Sequence, residues 1–485
     1  MIDIYVSNER YENDVYSLVK SFYPGVEVSY NRNDNDLLNQ GKLSVIEKEG
    51  IKLYIYIEND RLISLKLFLS EEDKITREYK KTYQRLIYKE LSKITGKELP
   101  WGILTGIRPA KLIYEKIEDK KTDKQIIDFM KETYICSEEK TKLSLQIAKR
   151  EIELLSEFDY KNGYSLYIGI PFCPTTCLYC SFTSYSIKKY LYLVDDYLLA
   201  LEKEIIYAST CMKNKELNTI YIGGGTPTTL NEEQLEKLLV IITNNFDIKA
   251  LKEFSVEAGR PDSITYEKLM ILKRYNVSRI SINPQTMVQR TLNLIGRNHT
   301  AEQIIDAFNM ARDIGHKNIN MDLIIGLSGE TTEDVAYTLN EINKLNPDSI
   351  TVHTLALKRA AKLNIEKDNY KRYNASGISK MLELTMDYAL TNNYLPYYLY
   401  RQKNMAENLE NIGYARCGKE GLYNILIMEE KQIILALGAG GMSKFVLRDQ
   451  NRIVRVDNVK SVVDYIDRID EMIERKETFI REELR

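Results

Sequence analysis

Between Tyr164 and Leu357 short apolar runs alternate with amphipathic stretches six times over, a rhythm that few architectures admit. The runs are "YSLYIG" (164–169), "NTIYI" (218–222), "EFSVE" (253–257), "SRISI" (278–282), "INMDLII" (319–325) and "ITVHTLAL" (350–357). Helical spacing of apolar residues falls between them, near 190–208, 232–245, 264–275, 301–314 and 332–344. Such β-α repetition predicts a parallel sheet with right-handed crossovers, either doubly wound or closed part-way into a barrel. In both arrangements ligands meet the carboxyl ends of the strands, so the loops that follow the six runs are where chemistry is sought.

The rest of the chain bounds the problem. With 485 residues it exceeds the size at which one core stays whole, and three parts are expected: 1–160, 161–360 and 361–485. The 44% hydrophobic and 28% charged residues suit a water-soluble globular protein, and no apolar run reaches about 18 residues, so no membrane span is expected. "MIDIYVSNERYENDVYSL" lacks the basic-then-apolar order of an export signal, which makes the cytoplasm the expected location. A balance of 68 basic against 70 acidic residues gives no overall field to attract nucleic acid, and none is expected as a partner.

The first part reads as a small α+β domain. "IKLYIYIENDRLISLKLFLS" (51–70) alternates around Asn59-Asp60 as a hairpin does. In the helical stretch that follows, Tyr79, Tyr83, Leu86 and Leu91 share one face. "LPWGILTGIRPAKL" (99–112) holds the single tryptophan with two glycines and two prolines, and reads as a structural junction.

Cys173, Cys177 and Cys180, three of six cysteines, crowd into the loop "PFCPTTCLYCSF" after the first run. In a reducing compartment that points to a metal or redox site rather than a disulfide framework. Cys136, Cys211 and Cys417 stand apart and are expected to be buried small hydrophobes. A structural zinc would need a fourth thiolate or imidazole at a plausible spacing; the next cysteine is Cys211, and the three histidines, His299, His316 and His353, are distant. An iron-sulfur cube held by three thiolates needs no fourth protein ligand.

Later runs end on further candidates. "IYIGGGTPTTL" brings Gly223, Gly224 and Gly225 to the end of the second, where bare backbone can approach a ligand closely. Glu257 ends the third. Gln285 and Arg297 follow the fourth; an arginine fork suits a carboxylate, and a glutamine both donates and accepts. Asp322 lies inside the fifth, where a buried carboxylate needs partners, and Arg297 is a candidate to share its network.

The C-x3-C-x2-C spacing, followed in order by "GGGTP", "SVEAGRPD", "ISINPQT…LIGRNHT" and "DLIIGLSGET", resembles the radical S-adenosylmethionine (SAM) superfamily, and within it the oxygen-independent coproporphyrinogen III oxidases and their relatives. "TVHTLALKRAAKL", "LPWGILTGIRPAKL" and the segment from "LPYYLYRQKNM" to "LGAGGMSK" are similar to the HemZ-type branch, so the resemblance covers nearly the whole chain. It implies an α/β fold, a partial (β/α)6 barrel with an N-terminal α+β domain and a C-terminal α+β extension. It implies that Cys173, Cys177 and Cys180 hold a [4Fe-4S] cluster whose open iron is chelated by SAM, with Tyr167 and Tyr179 beside it. Gly224, Gly225, Thr226, Glu257, Gln285, Arg297, Asp322 and Ala356 match positions that bind SAM, as one molecule or two. Gly169 stands where many relatives have histidine, and Phe182 where the decarboxylases carry a further cysteine.

The implied reaction is radical oxidative decarboxylation of two propionates of coproporphyrinogen III, giving protoporphyrinogen IX in haem biosynthesis. Its electrons would come from a donor such as ferredoxin or flavodoxin. Propionates call for cations, and Arg401 and Lys403, flanked by Tyr397, Tyr398 and Tyr400, are candidates, with "LGAGGMSK" (437–444) at the pocket mouth. The alternative implied by the haem-chaperone relatives is a protein that binds and delivers haem without turnover, with His299, His353 or a tyrosine as axial ligand. A third is another radical reaction on a tetrapyrrole, such as methylation with ring opening.

Overall fold

The computed structural model describes residues 1–24, 26–31, 42–69, 77–106, 108–180, 184–355, 377–401, 409–448, 450 and 452–484. Two compact units emerge, one made of Met1–Ala148 with Leu399–Glu410, the other of Lys149–Tyr398 with Asn411–Arg485.

In the first unit strands β1 (Ile2–Val6), β2 (Val28–Tyr30), β3 (Lys42–Lys48), β4 (Ile51–Glu58) and β5 (Arg61–Phe68) form a sheet in the order β2-β1-β5-β4-β3. The expected hairpin is β4–β5, and Asn59 and Asp60 both take positive φ, +49° and +58°, as a tight two-residue turn demands. Helices Glu12–Phe22 and Arg77–Thr95 cover one face. Val15, Leu18, Phe22, Tyr83, Ile87 and Leu91 pack there with Ile4, Leu53, Ile55 and Leu65, while Tyr79 and Leu86 lie at the margin.

The junction around Trp101 closes on the returning segment. The buried indole donates to Glu410 Oε2 at 2.7 Å, and Lys140 Nζ lies 2.9 Å from Glu410 Oε1. Arg401 stacks over the indole at 5.3 Å and donates to Leu104 O at 2.7 Å.

The second unit is built on one sheet. Its strands are β6 (Gly163–Ile170), β9 (Glu216–Gly224), β10 (Glu253–Gly259), β11 (Arg279–Ile282), β12 (Ile319–Ile325) and β13 (Ser349–Thr354), all parallel, with the short pair β7 (Phe172–Cys173) and β8 (Tyr185–Ser186) apart. Each coincides with one of the six predicted runs. Helices Val194–Cys211, Glu232–Asn245, Tyr266–Arg274, Ala301–Ile314 and Thr332–Leu345 make the crossovers. Two of them start on reciprocal caps, Asn231 with Gln234 and Thr300 with Gln303, which satisfy otherwise orphaned N–H groups. This is the partial (β/α)6 barrel.

The C-terminal residues extend this sheet on both sides rather than standing apart from it. β14 (Leu395–Tyr400) and β15 (Asn411–Ala415) lie beyond β13, and β16 (Ile433–Leu437), β17 (Met442–Leu447) and β18 (Arg452–Asp457) lie beyond β6. The short helix Leu422–Met428 is tied to the amino ends of the strands. Leu422 N and Tyr423 N donate to the Glu253 carboxylate at 2.8 and 3.3 Å, and Arg279 Nη1 donates to Lys419 O at 3.1 Å.

A buried polar cluster fixes the turn after β16. Glu204, fully buried, accepts from Gly438 N (2.8 Å), Asn458 Nδ2 (2.9 Å), Tyr465 Oη (2.6 Å) and Lys476 Nζ (2.7 Å). Tyr197 Oη accepts from Ala439 N at 3.1 Å and donates to Gly169 O at 2.6 Å. Gly438 has φ +92°, and a Cβ there would meet Tyr197 Oη at 2.5 Å and Gly169 O at 2.6 Å. Among the described residues no helix is long and apolar enough to cross a membrane.

Candidate active site

The cysteine loop leaves β6 and is stitched to two neighbouring loops. Gly225 N donates to Ile170 O (2.8 Å) and Thr226 N to Phe172 O (2.7 Å), so the glycine run is zipped against the start of the loop. A Cβ on Gly225 would stand 2.5 Å from Phe172 O, an approach only glycine permits. Thr226 Oγ1 then reaches Cys173 Sγ at 3.6 Å. From the other side Leu178 N donates to Ile295 O (3.1 Å) and Thr175 Oγ1 to Gly296 O (3.2 Å). Burial pushes the Cys173 thiol up to about 11, so it loses its proton readily only to a cation that replaces it.

Tyr167, Tyr221, Glu257, Asp322 and His353 are half-buried on strands whose adjacent residues are buried, which places them on the barrel's inner face. Tyr167 and Tyr221 are register partners with rings 6.2 Å apart. Tyr423 stacks on Tyr221 at 4.5 Å and on Tyr167 at 6.4 Å, closing the floor.

Tyr221 Oη donates to Glu257 Oε1. Burial raises the Glu257 carboxyl from 4.5 to about 7, Tyr221 and Gly224 N–H oppose the rise, and the nearby Asp322 charge adds to it. Burial also pulls Asp322 upward, but His353, with Nε2 3.9 Å from Oδ2, and donors Asn320 and Thr351 outweigh it and hold Asp322 below 3.8. One carboxyl is thus ionised at neutral pH while its neighbour titrates, a division of roles set by surroundings.

The sign of the resulting pH dependence is fixed. Folded Glu257 keeps a proton that the unfolded chain has lost, so its share of stability is present below pH 4.5 and is lost as pH rises to about 7. Glu257→Gln is therefore expected to gain melting temperature over the parent between those values and to hold a constant lead above them. Melting curves of the ligand-free proteins across pH test this, and a lead that does not change with pH contradicts it.

Gln285 sits in the left-handed region, φ +67°, and is pinned across β12 by Gln285 N to Asp322 O and Ile324 N to Gln285 O, both 2.9 Å. Arg297 donates to Tyr179 Oη (3.0 Å) and to Asn283 O (2.8 Å), and Asn283 Oδ1 accepts from Asp322 N at 3.2 Å. The expected link between Arg297 and Asp322 therefore runs through Asn283. Gln285 Oε1 and Arg297 Nε are buried without a hydrogen-bond partner among the described residues. Orphaned atoms of this kind cost stability unless a ligand completes them. Two inward-facing carboxyls, a guanidinium and an amide around a three-thiol loop fit the amino, carboxylate and hydroxyl groups of SAM beside an iron-sulfur cluster.

Sequence reasoning missed Arg260, which stands behind the loop. Arg260, in the "GRPD" that follows Glu257, is 3% exposed and turns its guanidinium onto the cysteine loop. His299, the candidate axial ligand, is buried with no hydrogen bond to either ring nitrogen among the described residues, Nδ1 lying 3.9 Å from Asp262 Oδ1, and burial, with Arg297 nearby, lowers it to about 4. Tyr221 and Tyr423 were also missed, since aromatics in apolar runs read as core.

Other candidates are placed as follows. Arg401 is 2% exposed and engaged with Trp101 and Leu104, and burial lowers it to about 10. Ala356, Phe182 and Lys403 lie outside the described residues. The turn 437–441 packs on the Gly169 carbonyl, directly before the cysteine loop. His316 Nε2 lies 3.0 Å from Leu269 O, away from the loop. Cys136 is buried as expected, but Cys211 is only partly buried and Cys417 is exposed, the latter because it sits in the turn after β15 rather than in a strand.

Residues 167–342 match the family model described as the Radical SAM superfamily. The chain is 40% identical over 415 residues to the oxygen-independent coproporphyrinogen-III oxidase-like protein HemZ of Bacillus subtilis (strain 168), covering 85% of this chain and 83% of that one. It is 42% identical over 195 residues to the heme chaperone HemW of the same organism (40% and 51% covered), and 34% identical over 192 residues to the oxygen-independent coproporphyrinogen III oxidase of Escherichia coli (strain K12) (40% and 42%). In fold it is similar to the solved structure of coproporphyrinogen III oxidase (HemN) from Escherichia coli, a radical SAM enzyme, with TM-score 0.51 at 24% identity over 64% of this chain and 70% of that one. The chain belongs to the radical SAM superfamily and, within it, to the HemZ-type branch of the oxygen-independent coproporphyrinogen III oxidase family.

Proposed function

We propose that the protein is an oxygen-independent coproporphyrinogen III oxidase, converting two propionate side chains of coproporphyrinogen III to the vinyl groups of protoporphyrinogen IX. The observation that carries this reading is the likeness to an oxidase-like protein across 85% of the chain, both terminal parts included. Each propionate would lose a β-hydrogen, carbon dioxide and one electron. Cys173, Cys177 and Cys180 would hold three corners of a [4Fe-4S] cluster, leaving the fourth iron to the amino and carboxylate groups of SAM. Bound together, these two supply a carbon-centred radical able to take hydrogen from an unactivated carbon.

The residues around them bind and orient. Glu257 and Asp322 would receive the cofactor's ammonium and hydroxyl groups, and Glu257, hydrogen-bonded to Tyr221, would give up its proton as a cation arrives. Arg297 Nε and Gln285 Oε1, the orphaned pair, would close on polar groups of the same ligand. The stacked Tyr167, Tyr221 and Tyr423 would keep bulk water from the inner face, a requirement where a radical must find only its substrate. A reductant of the ferredoxin or flavodoxin class would supply electrons.

Phe182 favours a second reading, since the decarboxylases carry cysteine there: a haem chaperone that keeps the cluster but delivers haem. Anaerobic incubation of the reconstituted protein with coproporphyrinogen III, SAM and a reductant separates the two. Vinyl products with 5′-deoxyadenosine are expected. Tight haem binding and transfer, with no turnover of coproporphyrinogen III, would establish the chaperone instead.

A further inference from the structure

Arg260 carries a cation into the interior, which is costly unless it is paired and aimed. Asp262 pairs with it through a fork, Nε to Oδ1 at 3.0 Å and Nη2 to Oδ2 at 2.8 Å. The remaining edge points the other way. Nη1 donates to Thr175 O (3.0 Å), to Thr175 Oγ1 (2.8 Å) and to Cys177 Sγ (3.8 Å). Thr175 lies between Cys173 and Cys177, so one nitrogen grips both the backbone of the loop and its central sulfur. The irregular end of β10, where pairing with β11 shifts register between Glu257 and Gly259, turns the chain so that Arg260 faces this loop.

The pair is oriented as well as neutralised. Asp262 engages the Nε and Nη2 edge of the guanidinium, while Nη1 meets the cysteine loop, so the sulfur faces the positive end of the ion pair. We infer that Arg260 is a positioning residue of the iron-sulfur centre, its guanidinium ordering the Cys173–Cys180 loop and raising the reduction potential through its N–H contact with Cys177. Reduction adds negative charge to a thiolate-bound cluster, so a nearby N–H donor and positive charge favour the reduced state, as hydrogen bonds to cluster sulfurs do generally. This inference rests on the reading that Cys173, Cys177 and Cys180 hold the cluster.

Dye-mediated redox titration of reconstituted protein without SAM, read by the electron paramagnetic resonance of the reduced cluster, tests it. Arg260→Gln is expected to assemble a cluster and to show, at a fixed poise, an oxidised-to-reduced ratio about tenfold above the parent, a midpoint lower by about 59 mV for one electron. Asp262→Asn removes the carboxylate that offsets the guanidinium, and its ratio is expected to fall about threefold. Opposite signs are the signature of an electrostatic role, because loosened packing shifts both variants the same way. Equal potentials in parent and Arg260→Gln, or shifts of the same sign in both variants, overturn the inference. Should Arg260→Gln fail to retain iron, Asp262→Asn decides alone, and a ratio unchanged or raised overturns it. A parent protein that assembles no cluster sinks the cluster reading itself, which is thereby told apart from failure of the arginine's role.

Discussion

Replacing Cys177 by alanine is expected to reduce bound iron after anaerobic reconstitution to background and to abolish the visible absorption of a thiolate-bound cluster, with SAM cleavage lost alongside. Three thiolates are the fewest that leave a cube with one open iron. Cys177 is the most enclosed of them, buried where Cys173 and Cys180 are only partly so. Losing it strips a second corner, and the Arg260 N–H is left facing a methyl group. The iron-free forms of parent and variant should melt together, since the loop is also held by Leu178 N to Ile295 O and Thr226 N to Phe172 O. Cys136→Ala, a buried cysteine of the other unit, should keep its iron and serves as the control. Retention of iron by Cys177→Ala at the parental level would remove the cluster from this loop.

The barrel was legible because its strands carry their signal locally. Runs such as "INMDLII" put Ile319, Met321, Leu323 and Ile325 on the face that the helices cover, and the helices between them keep their own period. The candidate site was legible for a related reason: Glu257 and the glycine run fall at the carboxyl ends of strands, where the topology requires ligands to bind. What was not legible is pairing at a distance. "QIILAL" reads as a strand, but nothing in it says that Ile433 will lie beside Tyr164, which makes the C-terminal residues a continuation of the barrel sheet. Partner choice is a property of the assembled sheet and leaves little trace in a single run.

Arg401 shows the same limit in a side chain. A cation beside tyrosines reads alike whether it awaits an anionic substrate or stacks on an indole, and its indole is Trp101, remote in sequence. Arg260 was hidden by the opposite circumstance, a charge three residues after a strand-end glutamate that looks like solvated loop. The trace that could have found it is the Pro261 that follows, which together with Gly259 forces a sharp turn and aims the arginine inward.

Lys476→Met is expected to cost about 3 kcal/mol of stability, because it leaves Glu204 charged and buried without its only cationic partner among the described residues. Both side chains are fully enclosed, so neither solvent nor salt screens the loss. Three neutral donors remain, Gly438 N, Asn458 Nδ2 and Tyr465 Oη, and they keep the cost toward the lower end of the range for broken buried pairs. Denaturant titration of the iron-free protein measures it, and a change below about 1 kcal/mol would show that the pair contributes as an exposed one does. The double variant Glu204→Met/Lys476→Met, with no charge left to bury, should recover part of the loss. The effect should also reach the candidate site. Glu204 holds Gly438, Gly438 closes on the Gly169 carbonyl that Tyr197 also grips, and Gly169 precedes the cysteine loop by a few residues. In Lys476→Met the turn 437–441 should therefore exchange its amide hydrogens faster than in the parent, with Ile168 and Ile170 following. Protection unchanged there would mean that the C-terminal helix stabilises the fold without steadying the loop.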